Sequence, residues 1–99
     1  MKIETPKISE FLYEEFMKPL NISCYKLAKD INVPVSRIQE ILHDKRKITI
    51  DTSIRLGIYF GVSETLFLNI QNELDLRETK KLYKNDFANI KPFECQQAK

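Results

Sequence analysis

The spacing of hydrophobic residues along the chain predicts a series of amphipathic helices. Apolar side chains recur three and four positions apart in five segments, which is the periodicity of one helical face. We expect these helices over residues 8–18, 24–31, 35–43, 50–60 and 64–80. Pro19 ends the first helix, and Gly61 follows the fourth at the position where a left-handed residue commonly ends a helix. The pattern therefore predicts an all-α fold.

Hydroxyl residues mark the starts of three of these helices. Ser23, Thr49 and Ser63 each precede an apolar periodic segment, and a hydroxyl there accepts a hydrogen bond from a free backbone N–H of the first turn. We therefore expect them to be the N-caps of the second, fourth and fifth helices.

The fourth predicted helix carries apolar residues around much of its circumference. These residues are Ile50, Ile54, Gly57, Ile58 and Phe60. We interpret this helix as the central one of the fold. A glycine inside a helix costs about 1 kcal/mol relative to alanine, so Gly57 indicates the close approach of a neighbouring helix.

Charge is distributed unevenly along the 99 residues, although the net charge is only +2. Residues 23–50 hold six basic and three acidic side chains, whereas residues 51–78 hold two basic and five acidic ones. A small net charge does not by itself argue for a nucleic-acid partner. The basic block is either a patch that faces an anion or a solvated cluster of charges.

Composition and length exclude several classes of protein. The length allows one domain rather than a multidomain enzyme, and 2 Gly and 4 Pro argue against a β-rich fold with many tight turns. No apolar run is long enough to span a membrane, and the first six residues do not resemble a secretory signal. Cys24 and Cys95 are then expected to be reduced thiols in a cytoplasmic protein.

Two short helices predicted to meet at a tight turn form the most informative segment. Ala28 is small where the second and third helices would cross, and Asn32 is the non-glycine type that best tolerates the left-handed backbone of such a turn. Val33 fills the angle between the helices, and Ile38 packs back on the first of the pair. This arrangement is typical of a helix-turn-helix, which presents the polar face of its second helix to a DNA groove.

The polar face of the third predicted helix carries side chains that can read base edges. Arg37 can bond guanine, Gln39 can bond adenine, and Ser36 can bond either. Five flanking side chains suit phosphate contacts, namely Tyr25, Lys26, Lys45, Lys47 and Thr49. The alternative is an ordinary α-hairpin whose polar face is only solvated.

Seven stretches of the chain resemble the HigA-type antitoxins. This compact branch of the XRE, or λ-repressor-like, helix-turn-helix proteins is also labelled virulence-associated protein I. The stretches are EEFMKPL at 14–20, YKLAK at 25–29, VPVSRIQEIL at 33–42, KRKIT at 45–49, DTSIRL at 51–56, FLNIQ at 67–71 and DLR at 75–77. Helix-turn-helix patterns are common, so the first and sixth stretches together are the specific part of the resemblance.

The resemblance implies a five-helix, λ-repressor-like DNA-binding domain over residues 1–78 and a C-terminal extension over residues 79–99. It implies a homodimer that binds double-stranded DNA at a palindromic operator in its own promoter. It also implies a partner, a RelE-like HigB toxin that cleaves mRNA. The recognition positions of the family fall here on Val35, Ser36, Arg37, Gln39 and Glu40.

The chain departs from the family pattern at three places. Thr5-Pro6-Lys7 stands where His-Pro-Gly is frequent, Asn32 stands at a turn that often holds Gly, and Phe67 replaces the usual Trp. None of these changes removes a side chain expected to face DNA. The first change bears on how the N-terminus would meet a toxin.

Signals for other chemistry are weak. His43 is the only histidine, and we expect a surface role for it rather than a phosphate contact or catalysis with Cys24. One His and two distant Cys do not match a zinc site, and there is no Gly-rich phosphate loop. We therefore predict a protein that is not an enzyme and that has no metal, no cofactor and no catalytic residue.

The sequence allows more than one interpretation of two features. Asn69 and Gln71 of the FLNIQ stretch make either a structural hydrogen bond between helices or a functional contact. Four apolar residues of the tail have roughly helical spacing, namely Tyr83, Phe87, Ile90 and Phe93. They would cover the core of the domain itself, join a dimer partner or dock a toxin.

Three hypotheses of function follow from the sequence. The first is a DNA-binding antitoxin that represses its own operon. The second is a stand-alone XRE-type repressor without a toxin, which has the same fold and differs only in its neighbouring gene. The third is a protein-interaction module that does not bind DNA.

Overall fold

The computed structural model describes residues 6–93, and within that range it is helical with no strand. The prediction of an all-α fold is confirmed. The helices are α1 (Ile8–Leu12), α2 (Cys24–Asp30), α3 (Val35–Leu42), α4 (Ile50–Phe60), α5 (Leu66–Leu82) and α6 (Lys84–Ala88). A π-helical segment, Tyr13–Met17, continues directly from α1, and α6 lies in the predicted C-terminal extension.

The core is centred on Phe67, whose side chain has no exposed surface. The rings of Phe11, Phe16 and Phe60 lie 5.8, 5.0 and 6.3 Å from it, measured between ring centroids. Tilted and edge-to-face pairs at such distances add to the hydrophobic free energy of burial. One aromatic residue of α5 thus joins the first helix, the π-helical segment and α4.

Two predicted turn residues adopt the expected backbone. Asn32 has φ of 63° and Gly61 has φ of 71°, both in the left-handed region. Asn21 and Asp44 also have positive φ, at 55° and 63°, and we did not expect them to do so. Asn and Asp tolerate this conformation because their short side chains bond locally to the backbone.

Two of the three predicted N-caps are confirmed. The Ser23 hydroxyl accepts a hydrogen bond from the Lys26 N–H at 3.1 Å, and the Thr49 hydroxyl accepts one from the Thr52 N–H at 3.3 Å. The prediction for Ser63 is wrong, because α5 begins at Leu66. The Ser63 hydroxyl accepts instead from an N–H only two residues ahead, which closes a turn and delays the helix.

The predicted buried face of α4 is wrong in part. Ile50 and Ile58 are 65% and 69% exposed, and the wholly buried side of the helix consists of Thr52, Ser53, Leu56 and Gly57. The hydroxyl of Ser53 donates to the backbone oxygen of Glu64 at 2.7 Å and accepts from the N–H of Leu68 at 3.3 Å. Ser53 therefore faces the core because its hydroxyl bonds to the backbone around the start of α5.

Gly57 marks a close approach, but of the turn before α5 rather than of the neighbouring helix that its position predicted. A Cβ at this position would lie 2.7 Å from the backbone oxygen of Ser63 and 2.9 Å from the Cα of Glu64. These are backbone atoms, so they have little freedom to move away. The turn that leads into α5 packs directly on the backbone of α4.

Gln71 is buried and joins α5 to the loop before α4. Its amide nitrogen donates to the backbone oxygen of Ile48, and its amide oxygen accepts from the Ile48 N–H, both at 2.8 Å. This pair supports the structural interpretation for Gln71. Asn69 is exposed, and its amide donates to the Thr65 hydroxyl at 3.2 Å.

The C-terminal part of α5 extends away from the core. The molecule measures 60 × 33 × 21 Å, and its radius of gyration is 17.6 Å, compared with about 13 Å for a compact domain of this length. The apolar residues in this region are largely exposed, namely Leu76, Leu82, Tyr83, Phe87, Ile90 and Phe93. Their exposure contradicts the interpretation that the tail covers the core of its own domain.

The predicted boundary between residues 78 and 79 falls inside α5, which continues without a break to Leu82. We keep the division as a proposal about function rather than about folding. Within residues 6–93, no helix is both long enough and apolar enough to cross a membrane.

We predict that Gln71→Leu lowers the free energy of unfolding by about 2–4 kcal/mol, because it leaves the buried N–H and carbonyl of Ile48 unpaired. Asn69→Leu is the matched control, since it removes an exposed amide two positions away and should change stability by less than about 0.5 kcal/mol. Urea unfolding followed by circular dichroism measures both values. Equal losses would contradict the role given to Gln71.

Candidate nucleic-acid interface

The packing of α2 against α3 fixes which side of α3 faces outward. Leu27 and Ala28 of α2 and Ile38 and Ile41 of α3 are all buried. The turn between the helices is closed by a hydrogen bond of 3.0 Å from the Val33 N–H to the backbone oxygen of Ala28. Because the apolar face of α3 is fully used by the core, its polar face lies on the surface.

The predicted base-reading residues lie on this outer face with different degrees of exposure. Ser36 is exposed, whereas Arg37, Gln39 and Glu40 are half-buried. Val35 is also half-buried and packs against the core, so only part of its side chain is accessible. No one of the five is buried, and their roles in reading DNA stay predictions.

The predicted phosphate-contacting residues are exposed around the ends of the helix pair. Tyr25 and Lys26 lie on α2, while Lys45, Lys47 and Thr49 lie in the loop between α3 and α4. The Thr49 hydroxyl already accepts from the Thr52 N–H as an N-cap. The four other side chains are exposed as well.

Most cations of this surface are paired with a carboxylate. The pairs are Lys26–Asp30, Arg37–Asp51, Arg46–Glu40 and Lys47–Asp75, with nitrogen–oxygen distances of 3.0, 3.1, 2.8 and 2.6 Å. Lys45 makes no ion pair with any of residues 6–93. Of these four pairs, only Lys26–Asp30 could be predicted from the sequence, because its residues are four positions apart in one helix.

Asp51 is shared by two arginines. Its Oδ2 atom accepts from Nη1 of Arg37 at 3.1 Å and from Nε of Arg55 at 3.0 Å. Nη1 of Arg55 also donates to the backbone oxygen of Ile31, at the end of α2, at 2.9 Å. The hydrogen bond from Arg55, together with the charges of both arginines, holds the pKa of the Asp51 carboxyl below its ordinary value. The spacing of residues in the sequence predicts a site role for neither Asp51 nor Arg55.

A second carboxylate joins α2 to α4. The Tyr59 hydroxyl donates to Oδ2 of Asp30 at 2.6 Å, and Lys26 lies 3.0 Å from the same atom. The hydrogen bonds from Tyr59 and then Lys26 lower the pKa of Asp30. The same contacts raise the pKa of Lys26 and of Tyr59.

The structure gives no support to catalysis by Cys24 and His43. The Cys24 thiol is half-buried, and desolvation by burial raises its pKa, whereas a nucleophilic thiol needs a lowered one. His43 is exposed on the surface. Cys95 and residues 1–5 lie outside the described residues. In the described part of the chain, no cluster of three His, Cys, Asp or Glu side chains has the arrangement of a metal site.

Comparison with known proteins finds relatives across most of the chain. A family model described as helix-turn-helix matches residues 14–67, which include α2, α3 and the basic loop after α3. Virulence-associated protein I of Dichelobacter nodosus is 45% identical over 78 residues, which cover 77% of this chain and 72% of that protein. Antitoxin HigA-1 of Vibrio cholerae is 27% identical over 85 residues, which cover 86% of this chain and 80% of that protein.

A solved structure is similar to this chain over most of its length. It is the Pseudomonas aeruginosa antitoxin HigA with the higBA promoter, which matches with a TM-score of 0.82 at 28% sequence identity. The match covers 91% of this chain and 99% of that chain.

We predict that the protein loses stability in acid partly through Asp30 and Asp51. Their folded-state pKa values are lowered, so their contribution is complete above about pH 4 and is lost as the pH falls through the folded values. The double variant Asp30→Asn/Asp51→Asn should lose less unfolding free energy between about pH 5 and pH 2 than the wild type does. Asp86→Asn, on exposed α6, is the control and should follow the wild type. A double variant with an unchanged pH profile would contradict the prediction.

Proposed function

We propose that this chain, which belongs to the XRE-type helix-turn-helix family on the branch of the HigA antitoxins, is a sequence-specific DNA-binding antitoxin. In this proposal it represses its own operon. The observation that carries the proposal is the outward polar face of α3, together with the exposed basic and hydroxyl side chains of α2 and of the loop after α3. The known relatives are described as antitoxins and transcriptional regulators, not as enzymes.

In the proposed complex, α3 enters the major groove with its first turns against the base edges. Arg37 forks onto O6 and N7 of guanine, Gln39 bonds N6 and N7 of adenine, and Ser36 bonds either purine. Val35 offers an apolar contact to a thymine methyl, and Glu40 accepts a hydrogen bond from N4 of cytosine. Each good contact of the forked type is worth roughly 1–3 kcal/mol of discrimination.

Tyr25, Lys26, Lys45, Lys47 and Thr49 set the register of the protein on the DNA by contacting phosphates. Lys26 and Lys47 are paired with Asp30 and Asp75 in the free protein, so phosphate oxygens would replace those carboxylates. Because each contacted phosphate releases counterions, affinity should fall steeply as the salt concentration rises. A protein that works on operator DNA in this way acts in the cytoplasm.

We further propose a homodimer that binds a palindromic operator. A two-fold axis would place the two α3 helices about 34 Å apart, one turn of DNA, so that both enter the groove on one side. The exposed apolar residues from Leu82 to Phe93, here named the C-terminal arm, are the proposed dimer surface. Several exposed apolar residues along one short segment are typical of an interface, and a two-fold contact would let two arms cover each other.

Toxin neutralisation is the further part of the proposal. HigA-1 of Vibrio cholerae is named an antitoxin, and this chain is 27% identical to it, so we propose a small HigB/RelE-like mRNA-cleaving toxin as the partner. Neutralisation needs no catalysis, because occluding the active site of the toxin is enough.

Two alternative functions remain. A stand-alone XRE-type repressor would have no small basic ribonuclease encoded beside its gene. A protein-interaction module would select no DNA sequence.

We predict distinct effects from Arg37→Ala and Lys45→Ala when each protein selects from a random 24-base-pair duplex library. Arg37→Ala should lower the preference for guanine at one position of each half-site by about 5- to 100-fold. Lys45→Ala should weaken binding to all sequences about equally and reduce the slope of log affinity against log salt by about 1. A uniform loss from Arg37→Ala would refute its role, and no sequence enriched by the wild type would refute operator binding.

We predict that Ile90→Asp converts the dimer to a monomer in sedimentation equilibrium, because it puts a charge into the C-terminal arm. Ile58→Asp is the matched control, since Ile58 on α4 is 69% exposed and Ile90 is 70% exposed. The Ile58→Asp variant should stay dimeric. A monomer from Ile58→Asp alone would place the interface on the outer face of α4 instead.

A further inference from the structure

We propose that Asp51 is a positioning residue that sets the base preference of Arg37. The inference rests on the proposed DNA-binding function and assigns a specificity role to a side chain outside the recognition helix. Arg37 lies on α3, whereas Asp51 lies in the first turn of α4, fourteen residues further along the chain. Asp51 therefore acts on the base through Arg37.

The geometry shows a carboxylate that is itself held in place. Asp51 accepts from Arg37 at 3.1 Å and from Arg55 at 3.0 Å through the same oxygen, Oδ2. Arg55 is held in turn by the backbone oxygen of Ile31 at 2.9 Å. A chain of three hydrogen bonds thus runs from the end of α2 through α4 to the outer face of α3.

Asp51 differs from the other carboxylates of this surface in the number of guanidinium groups that it contacts. Among residues 6–93, it is the only one that accepts from two guanidinium groups. Asp75 bonds only Lys47, and Glu40 bonds only Arg46. Asp75 is therefore a suitable reference, because it neutralises an exposed cation of the same surface without any link to the base-reading face.

A fixed arginine discriminates bases better than a free one. The guanidinium is planar with five N–H donors, and bidentate bonding to guanine requires its plane and direction to match O6 and N7. A free arginine side chain has many rotamers, which let it reach a neighbouring base or a phosphate instead. The bond to Asp51 uses one N–H and leaves four, so the carboxylate restricts the direction of Arg37 without consuming its capacity to bond guanine.

The test compares Asp51→Asn with Asp75→Asn in selection from the random 24-base-pair duplex library. Both substitutions remove one negative charge from a pair with a cation of the proposed interface, so both should raise affinity for all sequences by a similar factor. Only Asp51→Asn should also lower the guanine preference at the position assigned to Arg37, by about two- to fivefold, the range expected of an exposed ion pair. The other positions of the half-site should keep their preferences.

The double variant Arg37→Ala/Asp51→Asn tests whether Asp51 acts through Arg37. With Arg37 absent, Asp51→Asn should cause no further change in base preference at that position, because Asp51 acts only through its bond to Arg37. An equal further loss in the double variant would overturn the proposal. An increase in guanine preference from Asp51→Asn alone would also overturn it, since Asp51 would then be a competitor for Arg37.

Arg55→Lys provides a variant that keeps the net charge. A lysine has no fork with which to hold Asp51 and the Ile31 oxygen in the same geometry. It should therefore lower the same guanine preference without a general gain in affinity, and thermal melting checks that each variant is folded. If the wild type selects no sequence, the proposed function fails; if the wild type selects a motif that neither Asp51→Asn nor Arg55→Lys alters, only the positioning role fails.

Discussion

The outward polar face of α3 depends on the burial of its opposite face against α2. Ile38 and Ile41 have no exposed surface, and Leu27 of α2 is equally buried, so α3 has no freedom to rotate about its axis. The left-handed turn at Asn32 then sets the angle between the two helices. The surface chemistry of α3 is therefore a consequence of core packing, because the same residues that complete the core determine which side chains are left for a partner.

The electrostatic surface of the free protein is more balanced than its basic sequence block indicates. Three of the four carboxylates that pair with cations of the proposed interface lie on a different structural element from the cation, as Asp51 and Asp75 illustrate. Such exposed pairs add little to stability. We propose that their effect is on recognition, because they hold long side chains in defined directions and lower the local positive charge until phosphate replaces the carboxylate.

Polar groups inside the fold connect the loop between α3 and α4 to the long helix α5. Gln71 satisfies both backbone groups of Ile48, and Ser53 bonds the backbone at the start of α5. Unpaired buried backbone groups are costly, so these side chains fix the loop before α4 relative to the core. The same helix α5 then continues beyond the core into the C-terminal arm. One element thus joins the two proposed surfaces of the protein, one for DNA and one for a second copy.

The sequence by itself determined the helices, the helix-turn-helix and the residues expected to read DNA, because local hydrogen bonding and helical periodicity decide these features within a few residues. Asn32, Gly57 and the Ser23 and Thr49 caps were predictable for this reason. Only the tertiary structure decided that Ile58 faces solvent and which carboxylate holds Arg37. These depend on contacts between residues far apart in the chain, and the alternation of polar and apolar positions carries no information on which distant side chain will lie opposite.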